Sequence, residues 1–282
     1  MRFSSYAIPL ALAGFTLADP TLQQMLGFLQ QFNIDISYPA NIQVAKSINY
    51  TGFTEGQELN TEYLFGVFAG IANGAVAGTP LIGIPLNGTL LDLVIENNIM
   101  IVTTLRDFNW TVAIDPTIWQ IKFMFNDDGL VTQYDGILYR SSALYADVLP
   151  KVAQAAMAEL NLPANISQTV ALQTRAATDI CAGHEAFCTG ANQQYNSTAD
   201  CMDFVMNAIP MGDVWQSGQN TAFCRYLHTT MVQLRPTVHC PHIGPSGGDM
   251  CFDHTYESMV QSPFPQPFVA LPDNLTLANL GL

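Results

Sequence analysis

All five histidines of this chain, His184, His228, His239, His242 and His254, fall in or just beyond the stretch that holds all six cysteines. His239 and His242 flank Cys240 and Pro241, and His228 lies a little upstream. Imidazole is the commonest side-chain ligand for zinc and copper, and three imidazoles can leave one coordination position open. His228, His239 and His242 are therefore the candidate metal ligands, with copper or zinc as the ion. Asp253, or Glu185 beside His184, would supply an oxygen ligand. The spacing matches no standard zinc signature. The competing reading is that these imidazoles donate to backbone carbonyls and pin a small cystine-rich fold.

The cysteines themselves are Cys181, Cys188, Cys201, Cys224, Cys240 and Cys251. An even number in an oxidising compartment reads as disulfides, with fifteen possible connectivities, which removes the thiolates as ligands. A histidine-only site follows from that. Other chemistries fail on motif. There is no G-x-S-x-G elbow, because Ser246 in GPSGG lacks the pattern. No Walker loop and no G-x-G-x-x-G after a strand occur.

The elements that must position these residues begin with a leader. Arg2 precedes an apolar run, Tyr6 to Leu17, and small residues at Thr16 and Ala18. That order reads as a signal peptide over 1–18 with the mature chain from Asp19. The run is too short to cross roughly 30 Å of hydrocarbon. Sequons at Asn49, Asn87, Asn109, Asn165, Asn196 and Asn274 agree with a secreted glycoprotein. The apolar stretch Tyr63 to Leu86 contains Pro80 and Pro85 and several glycines, so it reads as a buried helix ending near Gly74 to Gly78 and then a loop, with no stable membrane span. A formal charge of −14 excludes nucleic acid as a partner held through phosphate contacts.

Apolar spacing predicts a helix over Pro20 to Phe32 and a second one after Asn60 or Thr61. Thr89 to Ile95 and Ile99 to Asp107 read as a hairpin, Thr117 to Phe125 as a third strand, Asn126 to Gly129 as a turn and Leu130 to Leu138 as a fourth strand. Pro150 sits where the first turn of a helix would be. A polar stretch follows, then a helix over Gly218 to Leu234 and a Gly/Pro turn region, HCPHIGPSGGDMC. The expected division is a leader over 1–18, an α+β domain over 19–160 and a Cys/His-rich, mainly helical subdomain with a tail over 161–282.

The stretch WQIKFMFNDDGLVTQYDGIL resembles the last hairpin of NTF2-like (SnoaL-like) domains, through Trp119, Phe123, Phe125, Asp128, Gly129, Val131 and Asp135. The resemblance covers about 36–146. The Cys-rich segment resembles the C-terminal part of secreted fungal proteins, which implies no activity. The NTF2-like resemblance implies an α+β fold whose curved antiparallel sheet and helices form a cone around an apolar pocket, followed here by the disulfide-stapled subdomain. It also implies a small apolar molecule as partner, bound and in some members cyclised, isomerised or dehydrated, as in secondary-metabolite tailoring. Catalytic members often pair Asp with His or Tyr inside the cone. No histidine precedes His184, so Asp107, Asp115, Tyr134 and Asp135 remain as candidates. Asp135 is the expected base and Tyr134 the group that orients substrate or donates a proton. The alternatives are a histidine-liganded copper or zinc protein and a non-enzymatic secreted interaction protein.

Overall fold

The computed structural model describes residues 20–37, 62–260 and 267–268. The expected leader and the sequons at Asn49 and Asn274 lie outside them. Helix α1 runs Leu22–Ser37. Its start is fixed by a reciprocal cap: the Gln24 amide donates to Thr21 Oγ1 at 3.2 Å, and the Thr21 amide donates to Gln24 Oε1 at 2.8 Å. The helix continues five residues beyond the predicted end at Phe32, because Ile36 keeps the buried stripe going. A single π turn, Glu62–Gly66, leads into helix α2, Val67–Ala72. This helix stops at Asn73 and Gly74, where Gly74 takes φ +80°.

Four strands follow: β1 Ile84–Glu96, β2 Ile99–Asn109, β3 Ile114–Phe125 and β4 Val131–Leu138. They form an antiparallel meander in the order β1-β2-β3-β4. The first three predicted strands fall within these, the fourth begins one residue later than predicted, and the predicted turn at Asn126 is present. Asn126 Oδ1 accepts from the amides of Asp128 and Leu130, and Gly129 takes φ +77°. One sheet face packs on α1. The Phe28 ring meets Phe123 and Phe125 edge-on at 5.0 and 5.3 Å, and Phe32 does the same to Phe123 at 5.4 Å. Arg106 of β2, fully buried, ties α1 to this face by donating to Asn33 Oδ1, Ser37 Oγ and the Leu86 carbonyl. Burial lowers its pKa to about 10.

Helix α3 spans Ser141–Glu159, so Pro150 lies inside it and not in its first turn, as the sequence suggested. The apolar stripe Tyr145, Val148, Val152 and Ala156 is buried and runs through the proline, which costs one main-chain donor and leaves the helix intact. Helix α4, Gln168–Phe187, occupies what the sequence presents as a polar stretch. Ser167 caps it, and its buried side is made largely of small residues, Ala171, Ala176 and Ala177. Helix α5 is Thr198–Asp203, α6 Ala222–Thr229, α7 Pro236–Ile243 and α8 Tyr256–Met259. Helix α6 is shorter than the expected Gly218 to Leu234, because Thr221 caps it from the Cys224 amide and the chain leaves it in turns after Thr230. Helix α7 replaces the expected turn at HCPHI. Pro236 occupies its first turn, where no amide partner is needed.

Three disulfides staple the helices: Cys181–Cys201, Cys188–Cys240 and Cys224–Cys251. The class is α+β, as expected: an open four-stranded antiparallel sheet with helices. An NTF2-like cone is a finer claim than this meander carries. Among the described residues no helix is long and apolar enough to cross a membrane.

Candidate functional site

Helices α6 and α7 are locked together by Arg225. This fully buried guanidinium donates to the carbonyls of Thr221, Gly244 and Pro245 and to Asn220 Oδ1. The two helices also carry one end each of two disulfides, Cys224–Cys251 and Cys188–Cys240. His239 and His242 are three apart on α7 and so share a face. That face meets His228 in the last turn of α6. The three imidazoles are 4, 0 and 4 % exposed for His228, His239 and His242. Their ring centroids are 4.6, 5.5 and 5.9 Å apart. One nitrogen of each lies within 4.8 Å of one nitrogen of each of the others.

The outer contacts of the cluster are specific. His242 Nδ1 is 3.2 Å from His228 Nδ1, and His242 Nε2 is 2.8 Å from Asp249 Oδ1. A carboxylate only accepts, so His242 carries its proton on Nε2 and turns the Nδ1 lone pair inward. His239 Nε2 is 3.0 Å from Glu62 Oε2, whose other oxygen accepts from Arg235 Nε. Burial is the main reason that the His228 pKa is held well below its ordinary value, and the neighbouring imidazoles and Arg225 add to it. Burial also lowers His242, against the Asp249 hydrogen bond. Gly248 makes room for this arrangement: at φ +59°, any Cβ would sit 2.7 Å from His242 Cδ2.

His184 and His254 are elsewhere. His184 Nε2 accepts from the amides of Gln194 and Tyr195, and the His254 ring lies tilted against Phe252 at 4.1 Å between centroids. Neither Asp253 nor Glu185 converges on the cluster among the described residues; the carboxylates that reach it are Glu62 and Asp249. Glu62 is separated from His239 by 177 positions, and no local pattern could have found it. The Cys224–Cys251 disulfide sits against His228, with its sulfurs joined to each other.

His228 also lines a cavity of about 450 Å³. Its walls include Phe68 of α2, Phe108 of β2, Trp110 just after that strand, Tyr145 of α3 and Phe223 of α6. Trp110 is anchored by donating from Nε1 to the Leu81 carbonyl, and Tyr145 meets both Trp110 and Phe223 edge-on. Desolvation raises the Tyr145 pKa, so its hydroxyl stays protonated. Helix α2 reaches this wall only because residue 70 is glycine: a Cβ there would fall 1.9 Å from the Thr230 carbonyl oxygen.

Tyr134 and Asp135 do not line this cavity. Tyr134 pairs with Phe123, and Asp135 pairs with Lys122, whose Nζ lies 4.4 Å over the Phe268 ring. Asp115 contacts Lys151 at 3.6 Å. Asp107 pairs with Pro116 across the β2–β3 ladder. The structure brings together the three histidines and not these acid/base candidates. Of the sequons, Asn87, Asn165 and Asn196 are exposed and Asn109 is half-buried.

A model of the BfoA N-terminal domain matches residues 30–136, and one of the BfoA family C-terminal domain matches 140–254. The cavity takes walls from both stretches. The protein named aurasperone B biosynthesis cluster protein A, from Aspergillus niger (strain ATCC 1015), is 35% identical over 272 residues, covering 90% of this chain and 86% of its own length. Bifonsecin B biosynthesis cluster protein A, from Aspergillus brasiliensis, is 34% identical over 280 residues, covering 93% of this chain and 91% of its own. No solved structure matches the chain.

Proposed function

The chain belongs to the BfoA family, and from that premise we propose that it is a secreted glycoprotein of secondary metabolism that binds a small, largely apolar molecule in the aromatic cavity beside His228. The cavity carries the reading. Its volume of about 450 Å³ falls within the range of small-molecule sites, and its walls are mostly aromatic and aliphatic with a few polar groups. Flat aromatic walls suit a planar, conjugated ligand, which they would meet by stacking and edge contacts. The relatives are named as biosynthesis cluster proteins, which favours a pathway compound as that ligand. An NTF2-like cone is compatible with this arrangement, since such cones also hold apolar ligands between sheet and helices. The leader-like N-terminus, the sequons and the disulfide-rich helices favour secretion.

The test uses N-phenyl-1-naphthylamine, a neutral aromatic probe that brightens in apolar surroundings. The mature glycoprotein is expected to bind it with micromolar affinity and about one site per chain. Gly218 lines the cavity, and a Cβ there meets nothing within 4 Å. Gly218→Trp should therefore fill the space without disturbing the fold and abolish binding at an unchanged melting temperature. Absence of binding by the parent protein, or equal binding by the filled variant, would refute the reading.

A further inference from the structure

We propose that His228, His239 and His242 form a binding site for a divalent transition metal of the zinc and copper class. The first ground is distance. A tetrahedral ion with nitrogen ligands at about 2.0–2.1 Å sets those nitrogens roughly 3.4 Å apart. His228 Nδ1 and His242 Nδ1 are already 3.2 Å apart, and the three-way set closes within 4.8 Å.

The second ground is how the rings are held. Histidines that bind metals donate from their other nitrogen to a carboxylate or carbonyl, which fixes tautomer and ring direction. His242 has Asp249 on Nε2 at 2.8 Å, and His239 has Glu62 on Nε2 at 3.0 Å. For His242 this turns Nδ1 toward His228 Nδ1, 3.2 Å away. Two carboxylates from different parts of the chain thus serve two rings in the same way. Glu62 reaches His239 from the N-terminal third of the sequence, so it is no accident of local spacing.

The third ground is chemistry. The three rings are nearly water-free, and they face one another at the meeting of two helices that Arg225 and two disulfides hold rigid. The nearby sulfurs are tied up in Cys224–Cys251, so among the described residues the donor set is three imidazoles. Such a set suits zinc or copper and leaves a fourth position for water or a ligand oxygen. The site stands whether or not the cavity holds a ligand, because only His228 belongs to both.

The untagged mature protein, stripped with chelator, would be titrated with Zn(II) and with Cu(II) by calorimetry, and bound metal counted by elemental analysis. One ion per chain is expected for at least one of the two. His239→Ala and His242→Ala should each weaken binding at least 100-fold, and His254→Ala should leave it unchanged. Asp249 is 77 % exposed at its side chain, so Asp249→Asn keeps the fold. That change should weaken binding about 10- to 100-fold by releasing the His242 ring. Should the histidine variants fail to fold, cobalt(II) loaded into the parent protein is expected to give the intense visible bands of a tetrahedral, nitrogen-ligated ion. Lack of stoichiometric binding of either metal overturns the proposal, as does binding indifferent to the Asp249 and histidine changes.

Discussion

Replacing Cys188 and Cys240 together with alanine separates a staple that stabilises the fold from one that also holds the histidine cluster. Cys188 ends helix α4, and Cys240 stands between His239 and His242 on α7. The bridge closes a loop of 52 residues. Chain-entropy reasoning assigns such a loop about 4 kcal/mol of stability, drawn from the unfolded state. Both sulfurs are buried, so lost packing adds to the figure. The Cys181–Cys201 bridge closes 20 residues between α4 and α5, away from the cluster, and is worth about 3 kcal/mol by the same reasoning. The two double variants should therefore lose similar stability in urea. They should differ in the accessibility of His239, which is fully buried in the parent. Diethyl pyrocarbonate labelling read by peptide mass spectrometry is expected to modify His239 readily in the Cys188/Cys240 variant and slowly in the Cys181/Cys201 variant. Equal protection of His239 in both, or a loss below about 1 kcal/mol for the longer loop, would refute the reasoning.

Gly248→Ala should cost about 1–3 kcal/mol in chemical denaturation, since alanine must adopt φ +59° and push the His242 ring from 2.7 Å. Arg225→Met should cost about 3–5 kcal/mol by leaving buried carbonyls at Gly244 and Thr221 without a donor, measured the same way. Asp35 is buried and its pKa is raised to about 6 by desolvation, against a hydrogen bond from Gln31. A folded pKa above the unfolded 3.8 means that folding favours the protonated form. Its stabilising contribution is present below pH 3.8 and lost by about pH 6. Asp35→Asn should accordingly leave stability unchanged at pH 3.5 and raise it by up to about 3 kcal/mol at pH 7.5, in paired urea titrations.

The sheet was legible because its signals are local. The β-rich runs at 117–125 and 130–138, with Asn126 and Gly129 in the turn between them, specify a hairpin whatever surrounds them. Helix α4 was not legible, because it buries alanines: a small-residue face has little amphipathic contrast, and its packing against α3 and α6 is what makes those alanines core. Helix α7 was hidden for a different reason. Two prolines and a following Gly/Pro run read as a turn, yet Pro236 costs nothing in a first turn and the Cys188–Cys240 bridge holds the rest.

For the site, the sequence by itself determined the supply of chemistry. It placed every histidine near the cysteines, and it ruled thiolate ligands out through their even number. Which histidines converge was decided by tertiary structure alone, because convergence depends on how α6 and α7 cross, and Arg225 and the disulfides set that crossing. The same holds for Glu62, which enters from 177 positions away, and for the cavity, whose walls come from both halves of the chain. Side-chain type is a local property carried by the sequence. Proximity between distant residues is a property of packing, and only the folded chain supplies it.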